Sequence, residues 1–294
     1  MCTPLTSNRA LKSPGWKKEW HIGIRVSSGA KKLVAFISAV PMALRVKKNT
    51  VKCAEVNFLC VHKKLRSKRL APILIREITR RCNQVGIWQA IYTGGVLLPT
   101  PVSTCRYFHR SIDWEKLYEV GFSHLPPGST PQRQIMKYRL PSTTDVAGTR
   151  PLKRDDIPKV MPLLKKYLDR MQMAQVFDEE EFAHWMLDEG TPAAEQVVFS
   201  YVVEQGGKIT DFYSFYRLES TVIGSKKHSN LKVAYSYYYA TDAAFNKDKT
   251  LLKKRLNELM HDALILAKKA SLHVNQSLDL LLTTCRRSST SSML

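Results

Sequence analysis

The sequence predicts a mixed α/β fold made of two related halves. The first half places three strand-like segments before one helix and one further strand: residues 20–26, 31–40, 51–61, 68–82 and 87–92. The second half repeats this order, with a short apolar segment after its helix: residues 197–204, 209–216, 231–240 and 250–270. Alternating apolar residues indicate strands, whereas apolar residues three and four apart indicate helices. The repeated order predicts a duplicated fold.

Residues 126–150 separate the two halves. They are rich in Pro, Ser, Thr and Gly, which favours irregular backbone. We therefore predict an amino-terminal half at 1–145 and a carboxyl-terminal half at 146–282. Two helices are expected early in the second half: residues 155–170 and 178–187. Residues 283–294 have no hydrophobic periodicity and are predicted to form a disordered tail.

The chain is strongly basic. It carries 46 Lys and Arg against 25 Asp and Glu, which gives a net charge of +21. Such a field attracts phosphates, nucleic acid or anionic membranes, and charge alone does not choose among them. The sequence has neither a basic patch interleaved with aromatic residues nor a helix-turn-helix pattern, which are typical of nucleic-acid-binding proteins. A nucleic-acid binder is therefore the least favoured of these classes, and direct DNA binding is not expected.

The spacing of the cysteines and the length of the apolar runs argue against a zinc protein, a secreted protein and a membrane-spanning protein. The six cysteines lack the paired Cys or Cys/His spacing of a zinc site, so no metal site is predicted. The first residues lack the apolar core of a signal peptide. The longest apolar run, residues 33–44, is too short to cross a bilayer and contains Pro41. We therefore expect a cytosolic protein.

The most informative segment for chemistry runs from residue 55 to residue 72. It has the pattern of a strand, a basic turn and the start of a helix. The unpaired N–H groups and positive dipole end of the helix would bind a pyrophosphate there. The turn, Arg66-x-x-Arg69-x-Ala71, matches in part the acetyltransferase loop Gln/Arg-x-x-Gly-x-Gly/Ala. Two other interpretations of the basic residues stay open: a solvated charged face and a nuclear-localisation signal.

Several stretches of the chain together carry a longer pattern. Residues 55–63 read Glu-Val-Asn-Phe-Leu-Cys-Val-His-Lys, and the pattern continues to Pro72. It extends to Arg-Glu-Ile-Thr-Arg-Arg at 76–81, Tyr-Thr-Gly-Gly-Val at 92–96, Cys-Arg-Tyr-Phe-His-Arg-Ser at 105–111 and Ala-Tyr-Ser-Tyr-Tyr at 234–238. The chain resembles the protein N-myristoyltransferase family over roughly residues 10–280. The resemblance implies two acetyltransferase-like halves in one saddle-shaped mixed sheet, with the second half incomplete.

That family moves a myristoyl group from coenzyme A to the α-amine of an N-terminal glycine. The resemblance implies that myristoyl-CoA is the acyl donor substrate and that no prosthetic group is used. It also implies that the backbone N–H groups of Phe58 and Leu59, at a bulge in the third strand, form the oxyanion hole. Asn57 and Thr93 would lie near the attacking amine. The residues that hold the cofactor would be Val61, Arg66, Ser67, Lys68, Arg69, Leu70, Ala71 and Pro72, and those that line the peptide groove would be Tyr92, Tyr107, His109 and Ser236.

The chain departs from the family pattern at both ends. Only nine residues precede Ala10, where the family has an acidic region and a segment that helps to cover the acyl chain. Beyond Leu280 the family motif Lys-Phe-Gly-x-Gly-Asp-Gly does not occur. The family's general base is the carboxylate of its last residue, and we expect that of Leu294 to be solvent-exposed and not to act as a base. A catalytically inactive protein that binds acyl-CoA or glycine peptides is therefore an alternative.

The resemblance also predicts partners. It implies that a monomer acts on N-terminal glycine peptides and nascent proteins. Coenzyme A does not need a charge of +21. Ribosomes, where nascent N-termini emerge, would use the remaining positive charge.

Overall fold

The structure is a computed structural model and describes residues 4–96, 99–192 and 194–278. Its helices are α1 Pro4–Leu11, α2 Leu70–Asn83, α3 Trp114–Glu119, α4 Pro131–Tyr138, α5 Ile157–Leu168, α6 Glu179–Met186 and α7 Lys249–Lys269. Its strands are β1 His21–Arg25, β2 Leu33–Val46, β3 Asn49–Val61, β4 Gln89–Tyr92, β5 Tyr107–Ser111, β6 Thr149–Pro151, β7 Met173–Val176, β8 Val198–Gln205, β9 Lys208–Thr221, β10 Asn230–Thr241 and β11 Val274–Leu278. The mixed α/β fold predicted from the sequence is confirmed.

The chain divides into two compact units that interleave along the sequence. Over the described residues, the first unit holds residues 4–96 and 152–189, and the second holds residues 99–151, 190–192 and 194–278. The division into halves at residue 145 stays a prediction. The tail predicted at 283–294 lies outside the described residues.

The first unit contains a five-stranded sheet, counted over the described residues. Its strand order is β1-β2-β3-β4, and β7 pairs with the far end of β2. All neighbours are antiparallel except β3 and β4, which are parallel. Helix α2 makes the crossover connection that a parallel pair requires.

Strand β2 continues past Pro41, although the sequence predicted an end at residue 40. Strand β1 pairs with β2 only as far as Ser38, and β7 pairs only from Ala43 onward. Pro41 therefore faces a gap between two neighbouring strands, where its missing N–H costs no ladder hydrogen bond on that side. The gap explains why a proline is tolerated inside this strand.

Helix α2 packs against one face of this sheet. Leu74, Ile78 and Cys82 are buried at a spacing of four residues, which places them on one side of the helix. They share a core cluster with Ile37 and Ala54 of the sheet. Burying a side chain such as Leu74 contributes on the order of 2 kcal/mol. This packing fixes where the basic turn before α2 lies against the end of β3.

The second unit contains a six-stranded sheet, again counted over the described residues. Its order is β5-β11-β10-β9-β8-β6, and the parallel pair β10 and β11 is connected by α7. Arg255 of α7 binds the fully buried carboxylate of Asp211 on β9, with Nη2 2.6 Å and Nε 3.1 Å from its two oxygens. A buried carboxylate is stable only with such a partner.

The two units repeat one arrangement, as the duplicated order predicted. In each, a long strand carries a bulge, in which two residues face a single serine of the neighbouring strand. Asn57 and Phe58 of β3 face Ser38, whereas residues 237–238 of β10 face Ser214. In each unit, the bulged strand also pairs in parallel with the strand that follows its helix. The predicted duplication of the strand and helix order is therefore confirmed.

The described strands pair in two sheets, one in each unit. One sequence expectation was wrong. The stretch 126–150 was expected to be irregular, yet it contains α4. Thr130 caps this helix by accepting a hydrogen bond from the backbone N–H of Arg133, and Pro131 occupies its first position. Proline and threonine therefore mark a helix start here.

Replacing the buried carboxylate of Asp262 should destabilise the second unit. Asp262 of α7 is fully buried and accepts hydrogen bonds from the backbone N–H groups of Asp145 and Val146, at 2.9 and 3.0 Å. Asp262→Asn turns an amide donor towards these donors and should lower the free energy of unfolding by about 1–3 kcal/mol in urea. Asp145→Asn is the control, because that side chain is exposed. Equal effects of the two variants would contradict the assignment.

Acid should weaken the second unit through His273. Its Nδ1 accepts a hydrogen bond from the backbone N–H of Lys232, and its Nε2 lies 3.0 Å from Nζ of Lys116. Burial, assisted by Lys116, lowers the pKa of His273 to about 4 from 6.5. The stabilisation from the neutral ring is therefore complete above pH 6.5 and is lost as the pH falls towards 4.

His273→Asn tests this linkage, because asparagine keeps a hydrogen-bond acceptor but does not titrate. The free energy of unfolding, measured in urea between pH 7 and pH 4, should fall less steeply for the variant than for the parent chain. Identical slopes would rule out this role for His273.

Candidate functional site

The basic turn between β3 and α2 has an unusual backbone. Residues Lys63–Lys68 form a 3₁₀ turn, and Arg69 follows with a left-handed φ of 53° before α2 begins. A right-handed residue followed by a left-handed one turns successive N–H groups into one concavity, which binds anions. The first N–H groups of α2 and its positive dipole end adjoin this concavity. The turn thus has the backbone geometry of an anion-binding concavity.

Arg69 explains why the acetyltransferase loop pattern matched only in part. The pattern has glycine where this chain has Arg69. Glycine is favoured at positive φ because other residues are strained there by roughly 1–2 kcal/mol. Arg69 nevertheless adopts that conformation. The backbone of the loop therefore follows the pattern even though the residue does not, and a guanidinium is added beside the concavity.

A pocket of about 570 Å³ lies at this turn. Its lining comes from the end of β3, the basic turn and the first residues of α2: Leu59, Cys60, Val61, Arg66, Arg69, Ala71 and Pro72. The other residues predicted to hold the cofactor, Ser67, Lys68 and Leu70, belong to the same turn but are not part of this lining. Cys60 was missed by sequence reasoning, because nothing in the sequence shows that its exposed thiol faces this pocket.

The predicted bulge in the third strand is confirmed. Val56 pairs with Ala39 and Phe58 with Ser38, so Asn57 is an extra residue in β3. Such a residue interrupts the ladder and changes the direction of its N–H groups. Leu59 lies next to the bulge and also lines the pocket, so the bulge and the basic turn are neighbours. The roles of Phe58 and Leu59 as donors stay predictions.

The expected substrate-binding residues fall into two groups. Tyr92 pairs with Val56, so Tyr92 and Thr93 lie at the end of the ladder where Asn57 stands. The other three are in the second unit. Tyr107 and His109 lie on β5, where the ring of His109 packs edge-on against Phe122, and Ser236 on β10 binds Asn275 with a 3.3 Å hydrogen bond. Their roles in peptide binding stay predictions.

Helix α1 holds the side chain of Asn57. Its amide Nδ2 donates to the carbonyl oxygen of Ala10 at 2.8 Å, and its Oδ1 accepts from the Ser38 hydroxyl at 2.9 Å. Bonds on both sides fix the orientation of the amide. Sequence reasoning missed both Ser38 and Ala10, since their contacts depend on how separate segments pack.

The last turn of α1 is satisfied by side chains from other segments. Its carbonyl groups lack partners within the helix. Nε2 of His184 lies 3.0 Å from the carbonyl oxygen of Arg9, and Nε2 of His21 lies 3.0 Å from that of Leu11. Because a carbonyl oxygen only accepts, each Nε2 carries a proton. Burial lowers the pKa of His184, which favours its neutral form. The side chains of His184, Asn57 and His21 thus bind three successive carbonyl groups of α1, those of residues 9, 10 and 11.

Comparison with known proteins identifies the family. Residues 119–284 match the family profile of the C-terminal domain of myristoyl-CoA:protein N-myristoyltransferase, and residues 7–105 match that of its N-terminal domain. The chain belongs to this family. The resemblance recognised in the sequence is therefore confirmed.

Individual N-myristoyltransferases support the assignment. The chain is 58% identical over 273 residues to glycylpeptide N-tetradecanoyltransferase of Aspergillus fumigatus, covering 92% of this chain and 55% of that one. It is 54% identical over 280 residues to the Saccharomyces cerevisiae protein, covering 92% and 61%. A crystal structure of Saccharomyces cerevisiae N-myristoyltransferase with bound myristoyl-CoA superposes with a TM-score of 0.89 at 54% identity, covering 92% of this chain and 63% of the other.

The match to these N-myristoyltransferases is partial in length. The chain spans between 55% and 63% of the relatives named above. Leu294 lies outside the described residues. The expectation that its carboxylate is solvent-exposed and does not act as a base therefore stays a prediction. Within the described part of the chain, no helix has the length and apolar character needed to cross a membrane.

Replacing Arg69 with glycine should separate backbone strain from charge. Arg69→Gly removes a side chain from a left-handed position and should raise the free energy of unfolding by up to about 1 kcal/mol. The same change removes a cation from the pocket, so binding of inorganic pyrophosphate should weaken. Urea unfolding and calorimetric titration measure the two effects.

Arg66→Gly is the matched control, because Arg66 lies in the 3₁₀ turn without a positive φ. This variant should lose both stability and pyrophosphate affinity. A destabilised Arg69→Gly variant would show that the left-handed backbone is not strained.

Proposed function

We propose that the chain binds myristoyl-CoA and transfers its myristoyl group to the α-amine of an N-terminal glycine. The observation that supports this most is the pairing of two features at the end of β3. One is the bulge at Asn57, and the other is the anion-binding turn from Arg66 to Pro72. An acyl-CoA has a thioester and phosphates, and a site for it must hold both. Family membership supports the same substrate.

The phosphates of coenzyme A would occupy the turn. Main-chain N–H groups around Arg69 and at the start of α2 would donate to the diphosphate, and the guanidinium groups of Arg66 and Arg69 would add charge-assisted hydrogen bonds. Leu59 and Val61 give the same pocket an apolar wall beside the strand. The acyl donor would thus lie along the end of β3.

The bulge would stabilise the transition state. As the amine attacks, the thioester oxygen gains negative charge, and the N–H groups of Phe58 and Leu59 would donate to it. Asn57 and Thr93 would orient the amine from the same end of the sheet. Tyr92, Tyr107, His109 and Ser236 would contact the glycine peptide. The amine must be neutral to attack, so turnover requires a proton acceptor.

We place the reaction in the cytosol, where acyl-CoA and emerging N-termini meet, and we propose that a monomer carries it out. The residues proposed to hold the phosphates all belong to one turn of one chain, which supports action as a monomer. Nascent proteins would be the acceptors, and the net charge of +21 favours contact with ribosomal RNA. Sedimentation with ribosomes at low and high salt tests this contact, and absence of salt-sensitive binding would count against it.

Substitution of the pocket arginines tests the phosphate site. Arg66→Ala and Arg69→Ala should each weaken coenzyme A binding by roughly tenfold, because each removes a charge-assisted hydrogen bond. Arg76→Ala is the control, since Arg76 is exposed on α2 and does not line the pocket. Calorimetric titration measures the affinities. If all three variants bind coenzyme A as tightly as the parent chain, the phosphates lie elsewhere.

A turnover assay tests the transfer itself. The chain is mixed with myristoyl-CoA and either a glycine-initiated peptide or the same peptide beginning with alanine. Formation of myristoyl peptide from the glycine substrate alone is the expected result. Binding of myristoyl-CoA without any product would support the inactive binding protein and contradict the proposed transfer.

A further inference from the structure

The two bulges of the fold are equivalent, position by position. In the parallel strand pairs, Glu55 of β3 pairs with Ile91 of β4, and Tyr235 of β10 pairs with Gln276 of β11. Each bulge begins two residues later, at Asn57 and at Tyr237. Phe58 therefore corresponds to Tyr238.

The serines that face the bulges differ in what they bind. In the second unit, the hydroxyl of Ser214 accepts a hydrogen bond from the backbone N–H of Tyr238 at 3.1 Å and donates to the carbonyl oxygen of Tyr238 at 2.9 Å. The N–H of that bulge is thus already bound by a side chain. An oxyanion could use it only by displacing the serine.

In the first unit, the corresponding serine is directed elsewhere. Ser38 is fully buried, and its hydroxyl donates to Oδ1 of Asn57 at 2.9 Å. Asn57 is held from its other side by the carbonyl oxygen of Ala10. Tyr237 stands at the position of Asn57 in the second unit, and a tyrosine ring has no amide with which to hold a serine in this way.

We propose that Asn57 keeps the β3 bulge open by holding the Ser38 hydroxyl away from the backbone N–H of Phe58. Ser38, Asn57 and Ala10 form a bridge that distinguishes a bulge able to bind an oxyanion from the closed bulge at Ser214. Ser38 is a positioning residue, since it acts through a backbone N–H that its hydroxyl does not bind. The catalytic meaning of the bridge rests on the proposed function, but its effect on the Phe58 N–H does not.

Loss of the bridge has a defined consequence. A fully buried hydroxyl needs a hydrogen-bond partner. Without the Asn57 amide, the Ser38 hydroxyl should turn to the bulge backbone, as Ser214 does. The Phe58 N–H would then be protected from solvent and unavailable to substrate.

Amide hydrogen exchange, followed by NMR on the full chain, tests this directly. Asn57→Ala should slow exchange of the Phe58 N–H by roughly tenfold relative to the rest of β3. Asn57→Ala combined with Ser38→Ala should restore the parental rate, because the competing hydroxyl is gone. No slowing in Asn57→Ala, or slowing that persists in the double variant, would overturn the proposal.

Ser214→Ala is the matched control in the second unit. Loss of the Ser214 hydroxyl should speed exchange of the Tyr238 N–H. An unchanged rate would show that this hydroxyl does not protect the N–H, and the comparison of the two bulges would then fail. Circular dichroism identifies a variant that fails to fold. If Asn57→Ala fails to fold, Asn57→Ser with and without Ser38→Ala takes its place, with the same expected restoration and the same result that would overturn the proposal.

Kinetics give a second readout. Asn57→Ala should lower kcat by about 100-fold with little change in KM for myristoyl-CoA, as expected when an oxyanion donor is blocked. Adding Ser38→Ala should recover roughly tenfold of that loss, since Asn57 itself is still missing. A double variant no faster than Asn57→Ala would contradict the proposal. If the parent chain fails to bind coenzyme A, the proposed function fails, while the exchange rates still decide the role of the bridge.

Discussion

One extra residue in a strand, Asn57, is the constraint on which the candidate site depends. Antiparallel pairing of β2 and β3 would otherwise engage the N–H groups of β3 in the ladder. The bulge releases the ladder locally, next to the turn where the chain enters α2. Leu59, next to the bulge, thus lines the same pocket as the basic turn. Both are properties of the backbone, and the side chains around them mainly hold that backbone in place.

Duplication supplies an internal comparison for this interpretation. Both units pair a bulged strand in parallel with the strand after a long helix, so the scaffold is common to them. What differs is local. The first unit has a left-handed Arg69 before its helix and an asparagine at the bulge, whereas the second has tyrosine at the bulge and a serine bound to its backbone. One scaffold thus carries two different local arrangements at its bulge.

The sequence predicted the parts of this structure that depend on local pattern. Alternation and helical spacing located the strands and helices that flank the site, whereas anion binding by the basic turn stays a prediction. Contacts that depend on tertiary packing were not predictable. Nothing in the sequence indicates that His184 and His21 bind the end of α1, or that Ser38 faces Asn57. The strand was predicted to end before Pro41, because the gap between β1 and β7 that tolerates this proline is not visible in the sequence. The left-handed conformation of Arg69 was also not predictable, because glycine is the residue that usually adopts it.

We propose above all that the backbone around Arg69 binds the diphosphate of coenzyme A. The most direct measurement is a titration of the isotope-labelled chain with coenzyme A, followed through its backbone amide signals. The largest shifts should fall on Arg69, Leu70 and Ala71, with smaller shifts at Leu59 and Val61. Shifts that leave Arg69 to Ala71 unchanged while moving other signals would contradict the account.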